Sequence, residues 1–449
     1  MNILAINKHD IYGGAAHIAF DLFQGLRKRG HNSYLAVAIR YSSDPSIFII
    51  PDLPPKPRNW SRLMWQLREP WKKRIGKRGT GVVMRLLRTF ADPEGENERQ
   101  QGYEVFHFPG SRNILELPPQ KPQILHMHNL HNDFFDLRQL PLLSKEIPIF
   151  FTLHDEWLFT GHCACTLGCD RWKLGCGECP DLTIYPSIPR DGTHHNWIHK
   201  ESIFAKSNLY IATPSHWLMD RVKQSILAKG LIEGRVIPNG VDQVVFTPSD
   251  RTSVRLRLGI KKDDAVVLFH CARDPSTNRF KDFVTIQRSI EIIITKYPDA
   301  NLVIIGIGSD DAKEYFKSTK VRICGYIKNP EKVSSYYQAA DVLLHASHAD
   351  TFPTTILESL SCGTPVVATE VGGISEQVKH EVNGFLVGHQ NAQDMADYAI
   401  KILSDKSLQK KMRTAAIANS RPFYSIECMV SSYESWYTEV LSRLITYIQ

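Results

Sequence analysis

The chain has 449 residues, 43% of them hydrophobic and 22% charged, which is ordinary globular composition and excludes wholesale disorder. Its 27 glycines and 25 prolines exclude collagen-like and proline-rich classes, and no uninterrupted apolar stretch reaches the ~18 residues a membrane-spanning helix needs. Net charge is modest, 54 basic against 47 acidic residues or +7; it suits anionic ligands, an anionic membrane surface or nucleic acid without choosing among them.

Met1-Asn2-Ile3-Leu4-Ala5-Ile6 opens the chain without a basic leader or a long apolar run, so a cytoplasmic location is expected. Residues 3–6 read as a strand, followed by Tyr12-Gly13-Gly14-Ala15-Ala16 and a helical pattern through Leu26. Small residues at that junction let backbone amides approach a phosphate, although a tight turn asks for glycine as well. Further apolar runs follow at 34–39, 124–128, 149–153 and 209–213. Residues 41–120 fit this rhythm poorly, with Pro51, Pro54, Pro55 and Pro57 and the acidic tract Asp92, Glu94, Glu96, Glu98, and read as an insertion. Inside it, residues 56–88 combine many cations (Lys72, Lys73, Arg74, Lys77 and Arg78 among them) with Trp60, Trp65 and Trp71, opposed by Glu69 alone. Such a segment suits an anionic membrane surface, or nucleic acid, or is a solvated helical face.

His126-Met127-His128 and His154-Asp155 end neighbouring runs. One histidine there is most simply structural; two clusters at adjacent strand ends point to a ligand cleft. A cysteine-rich loop, 155–200, then holds Cys163, Cys165, Cys169, Cys176 and Cys179. Clustered thiols with a Cys-x2-Cys pair suit a tetrahedral structural zinc, with Cys163, Cys169, Cys176 and Cys179 the preferred ligands; reduced buried thiols and labile disulfides are the alternatives.

Pro238-Asn239-Gly240-Val241-Asp242 with Phe246 and Pro248 marks a linker, after which the alternation restarts at 266–270, 302–305 and 342–345. Continuous apolar runs separated by amphipathic stretches describe parallel strands covered on both faces. The fold expected is α/β, with domains at 1–245 and 246–425 and an amphipathic terminal helix at 426–449. Arg273 and Lys281 follow the first strand of the second half, where cations can neutralise a diphosphate. Asp350-Thr351-Phe352-Pro353-Thr354-Thr355-Ile356-Leu357-Glu358 comes later, then Cys362-Gly363-Thr364-Pro365 and Gly372-Gly373. Pro353 suits a first helical turn, amides of Thr354, Thr355 and Ile356 would face an anion, and Glu358 would receive ribose hydroxyls. Singly, these acids are a helix cap and a helix-surface charge.

Taken together, these residues resemble the retaining nucleotide-sugar glycosyltransferases of family 4 (group 1). They rest on Gly13-Gly14, Pro214-Ser215, the 238–248 linker, Arg273 with Lys281, Gly325-Tyr326-Ile327 and the stretch from Asp350 to Gly373. The segment from Thr152 to Pro180 looks like the capsule, colanic-acid and exopolysaccharide subgroup. The resemblance implies GT-B architecture: two Rossmann-like, doubly wound domains with an interdomain cleft. It implies a donor, UDP- or GDP-sugar, on Gly13, Gly14, Ile327, Thr354, Thr355, Ile356 and Glu358. Arg273 and Lys281 would bind its diphosphate, Asp350 its sugar, and His128 would lie near that sugar, with His126 and His154 as alternatives. It also implies front-face transfer with retained configuration to a saccharide or lipid-linked saccharide, with no cofactor required for catalysis and no nucleic acid as partner. The enzyme would work in the cytoplasm or peripherally on the inner membrane face. Family members commonly have glutamate where Asp350 stands, and a shorter loop between Arg273 and Lys281. The rival readings are a GT-B-like subunit without catalysis, a nucleic-acid-binding protein using the 56–88 segment and a zinc element, and a same-architecture enzyme with another donor, such as a sucrose or trehalose synthase.

Overall fold

The computed structural model describes residues 1–54, 59–67, 80–271, 278–297 and 301–448. Arg273 and eight of the eleven cations of the 56–88 segment lie outside them. The chain divides into two compact units: Met1–Thr213, Met219–Val236 and Glu434–Gln449 form the first, and Pro214–Leu218 with Ile237–Tyr433 the second.

Among the described residues, the first unit carries a seven-stranded sheet in the order β3-β2-β1-β4-β5-β6-β7. The strands are β1 Asn2–His9, β2 Asn32–Ile39, β3 Ile47–Ile49, β4 Ile124–Met127, β5 Ile149–Thr152, β6 Leu209–Thr213 and β7 Leu231–Val236. Every neighbouring pair is parallel. β3 corrects the reading of 41–120 as wholly an insertion: Ile47 pairs with Leu35 and joins the core of Ala5, Phe23 and Val37. Three residues at a sheet edge are too few to register as an apolar run. The second unit carries a six-stranded parallel sheet, β10-β9-β8-β11-β12-β13. Its strands are β8 Ala265–His270, β9 Leu302–Ile307, β10 Val321–Ile323, β11 Val342–His345, β12 Val366–Thr369 and β13 Gly384–Val387.

Both sheets reverse direction once. In the first, the chain builds outward from β1 to β3 and then from β4 to β7 on the other side, so the reversal falls between β1 and β4. In the second it falls between β8 and β11. Open α/β sheets bind ligands beyond the strands' carboxyl ends at such reversals. The central strands are largely apolar because both faces are covered. Ala265, Val267 and Phe269 of β8 enter one core, and Val266 and Leu268 enter the other.

The helix Ile426–Ile448 starts in the second unit and ends in the first. Trp436, Tyr437 and Val440 are buried there. Trp436 and Tyr437 meet the Phe150 ring edge-on at 4.8 Å. Arg235 to Glu439 (2.5 Å) and Arg443 to Glu233 (2.6 Å) pair along the rim.

Candidate active site

At the second sheet's reversal, beyond β8, lies the loop segment Asn278-Arg279-Phe280-Lys281-Asp282. Asn278 folds this loop by accepting from the amides of Phe280 and Lys281 through Oδ1, at 3.0 and 3.2 Å. Asp282 caps the following helix, Phe283–Lys296, by accepting from the Thr285 amide at 3.0 Å. Lys281 is thus fixed between a turn and a cap, and its backbone bridges to Ser347 beyond β11. Its Nζ donates to Asp350 Oδ2 at 2.5 Å and to Ser347 Oγ at 3.3 Å.

Asp350 is held from behind. Gly372 has φ +56, a left-handed backbone that excludes most side chains, and a Cβ there would meet the Asp350 carbonyl oxygen at 1.9 Å. A Cβ at Gly373 would meet the Thr351 carbonyl at 2.0 Å, while its amide donates to the Asp350 carbonyl at 3.2 Å. The Gly372-Gly373 pair is therefore the seat of the acidic loop.

The helix Thr354–Ser361 begins with Pro353 at its N-cap and no side-chain cap. This corrects the expectation that Pro353 sits inside the first turn: the proline precedes it, and Thr354, Thr355 and Ile356 supply the leading amides. Glu358, one turn in, is half-buried, and desolvation pushes its carboxyl up to about 7. Tyr337 donates its hydroxyl to Glu358 Oε2 at 2.9 Å and faces His270 Nε2 at 2.7 Å. His345 ends β11, with Nε2 3.2 Å from Ser347 Oγ and Nδ1 3.5 Å from Thr355 Oγ1. Burial, and then the charge of Lys281, holds His345 well below its ordinary value, and burial holds His270 at about 4.

Lys281, Asp350, Thr354, Thr355, Ile356 and Glu358 thus gather at one reversal. Sequence reasoning missed His270, Tyr337, His345 and Ser347 beside them. The signal available was position: two polar rings close apolar strands at their carboxyl ends. Ile327, on the loop after β10, is half-buried and packs against the core of Val266, Leu268 and Tyr337.

The first sheet's reversal is flanked by Gly13-Gly14 after β1 and by the histidines after β4 and β5. Gly13 has φ +95 and caps the helix Gly14–Lys28 without a side-chain bond; a Cβ at either glycine would meet nothing within 4 Å. That helix has no acidic residue in its first turn. His126 and His128 are buried and His154 half-buried, and the three rings stack with centroids 4.4 Å and 5.3 Å apart. His126 spends both nitrogens on the protein: Nε2 meets Thr152 Oγ1 at 2.7 Å, and Nδ1 meets the Tyr437 hydroxyl at 2.5 Å. That makes it a structural histidine and corrects its place as an alternative sugar contact. His128 Nδ1 meets His154 Nε2 at 3.0 Å, which leaves His128 Nε2 buried without a hydrogen-bond partner. Burial depresses all three, His126 to about 3 and His154 to about 4, so the stack is neutral at physiological pH.

Also within the first unit, a cavity of about 380 Å³ is lined by Arg88, Arg99, Tyr103, Phe106, Asn132 and Trp157, among others. A second, of about 30 Å³, is lined by Cys163, Cys169, Cys176 and Cys179 with His162. Among the described residues, no three His, Cys, Asp or Glu side chains are already set out as a metal cage.

Residues 250–419 match the family model described as "Glycosyl transferases group 1". Along 97% of this chain and 99% of its own length, at 25% identity, the chain is similar to the protein named as a colanic acid biosynthesis glycosyl transferase, WcaC, of Escherichia coli (strain K12). It is 26% identical to the N-acetyl-alpha-D-glucosaminyl L-malate synthase of Bacillus anthracis over 51% of this chain and 60% of that protein. Among solved structures, Anabaena Alr3699/HepE in complex with UDP superposes with TM-score 0.62 at 14% identity, covering 98% of this chain and 100% of that one. Sucrose-phosphate synthase from Thermosynechococcus elongatus superposes with TM-score 0.61 at 16% identity, covering 98% and 99%. The two parallel sheets and these superpositions give the chain the GT-B fold, and its residues 250–419 carry the domain that the group 1 glycosyltransferase model describes.

Proposed function

We propose that this glycosyltransferase moves a sugar from a nucleoside diphosphate sugar to a saccharide acceptor, with retention of configuration, in the synthesis of a cell-surface polysaccharide. The observation that carries the reading is the convergence of Lys281, Asp350, the uncapped amides of Thr354–Ser361 and half-buried Glu358 at one sheet reversal. Glu358 takes the ribose hydroxyls. Lys281, the amides of Thr354, Thr355 and Ile356, and Arg273 from outside the described residues neutralise the diphosphate. Asp350 orients the transferred sugar, and His128 Nε2 is the free nitrogen of its stack. Gly13-Gly14 adds amides with room for an anion. The similarity to WcaC along the chain's length supports the polysaccharide role. The UDP complexes of HepE make UDP the first nucleotide to test.

In the transfer, the bond from the anomeric carbon to the diphosphate oxygen breaks as the bond to the acceptor oxygen forms on the same face. The acceptor proton passes to the departing diphosphate. Charge builds on that diphosphate, where a fixed lysine and helix amides stabilise it. Asp350 is engaged by Lys281, a poor posture for a nucleophile, which favours front-face transfer over a covalent intermediate. The 380 Å³ cavity of the first unit suits the acceptor: aromatic rings for sugar faces, with arginines for hydroxyl or acid groups.

We extend the proposal to a lipid-linked acceptor at an anionic membrane. The helices Asn59–Gln66 and Thr80–Ala91 expose Leu63, Val82, Leu86 and Phe90, with Leu67 just past the first, around a basic stretch of sequence. Among the described residues no helix is long and apolar enough to cross a membrane.

Calorimetric titration of UDP, GDP and ADP into the wild type and Glu358→Ala tests the donor site. One nucleotide should bind clearly best and weaken in the variant. No binding by folded protein would move weight to a subunit without catalysis.

A further inference from the structure

The loop after β5 contains five cysteines, and four of them line one small cavity: Cys163, Cys169, Cys176 and Cys179. Cys165 does not line it. At about 30 Å³ the cavity has the size of one ion or one water. Its lining is nearly all apolar and sulfur surface, which offers a water few partners.

The backbone is built to turn these thiols inward. Gly175, Cys176, Gly177 and Glu178 are four consecutive residues with positive φ, of 130°, 52°, 86° and 44°. Cys176 and Glu178 adopt this backbone without being glycine, a strain that persists only where the surroundings hold it. The Gly161 amide donates to Cys176 Sγ at 3.3 Å, the kind of bond that orients and stabilises a thiolate ligand. The Cys179 amide is tied to Asp191 Oδ2 at 2.7 Å, and the Gly177 amide to Thr193 Oγ1 at 2.9 Å. His162 Nε2 lies 3.4 Å from Cys179 Sγ, and Nδ1 lies 2.9 Å from the Pro186 carbonyl.

We propose that Cys163, Cys169, Cys176 and Cys179 bind one zinc ion in this cavity, with Cys165 a spectator. Four sulfurs suit a closed tetrahedral structural site rather than a catalytic one with an open position. Four thiolates around a divalent ion leave net negative charge, and Arg171 on the cavity wall offsets it. His162 lines both this cavity and the 380 Å³ one, so the ion braces a wall of the larger cavity.

The test is metal content of the full chain purified without chelator, by atomic emission, beside thiol titration. About one zinc per chain is expected, released stoichiometrically as the four thiols are modified. Cys165→Ser should keep the zinc and Cys176→Ser should lose it. Should Cys176→Ser not fold, cobalt exchange into the wild type reads the site directly, through intense thiolate-to-cobalt absorption. Substoichiometric zinc with all five loop thiols freely titrating would overturn the proposal, as would a disulfide among the four detected by unreduced peptide mapping. Zinc that depends on Cys165 would overturn the ligand set.

Discussion

Half-buried Glu358 has its carboxyl pushed up to about 7, so the ribose contact proposed for it changes within the physiological range. Its folded value is raised, so the carboxylate form is lost as pH falls below 7. Nucleotide affinity is therefore expected to rise between pH 6 and 8. Glu358→Gln should bind about 10- to 100-fold more weakly at pH 8, the range of a lost charge-assisted hydrogen bond, and show a flat profile. Calorimetry across that range checks both. In the proposed transfer Lys281 faces a different demand, because it meets charge that develops during reaction. Lys281→Ala is expected to lower kcat by about 10²- to 10³-fold, with a smaller change in nucleotide affinity. An equal loss in kcat and affinity would place Lys281 in ground-state binding instead. Lys281, Asp350 and Glu358 were legible in the sequence because they sit in one short motif and one strand-end loop. Tyr337 and His270 were not, because their role arises only when β8 brings two separated segments together.

The helix Ile426–Ile448 shows what one element contributes. Its Trp436 is fully buried against Phe150 and Tyr210. Trp436→Ala should cost about 3–5 kcal/mol by cavity formation. Tyr437→Phe, which strands His126 Nδ1, should cost about 1–3 kcal/mol. Denaturant titration of both variants checks the order. The helix was readable from its apolar spacing, as were β1, β8, β9 and β11 from their continuous apolar runs. Edge strands were not. β7 alternates between half-buried and exposed residues, and β10 spans only three, so neither leaves the pattern of a doubly covered strand. The glycine pair at 372–373 was visible as a motif, but its duty toward Asp350 lies in a backbone approach that sequence does not display.

Across the whole molecule, histidines held neutral by desolvation of their rings set an acid limit. His126, His154 and His270 titrate near 3 to 4 when folded, against an ordinary 6.5. The unfolded chain binds protons that the folded one refuses. Stability is thus complete above pH 6.5 and falls as pH drops toward 4, by up to about 1.4 kcal/mol per pH unit for each histidine. A denaturation midpoint that falls steeply from pH 7 to pH 5 is expected, and a flat one would contradict the depressed values. The helix that begins in one unit and ends in the other has a consequence for synthesis. The first unit's strands leave the ribosome early, but Trp436 and Tyr437 emerge only after the second unit has been made. Until then Phe150 and His126 lack their cover. The nascent first unit therefore waits half-assembled, exposed to chaperones and proteases, and its maturation is timed by translation of the second.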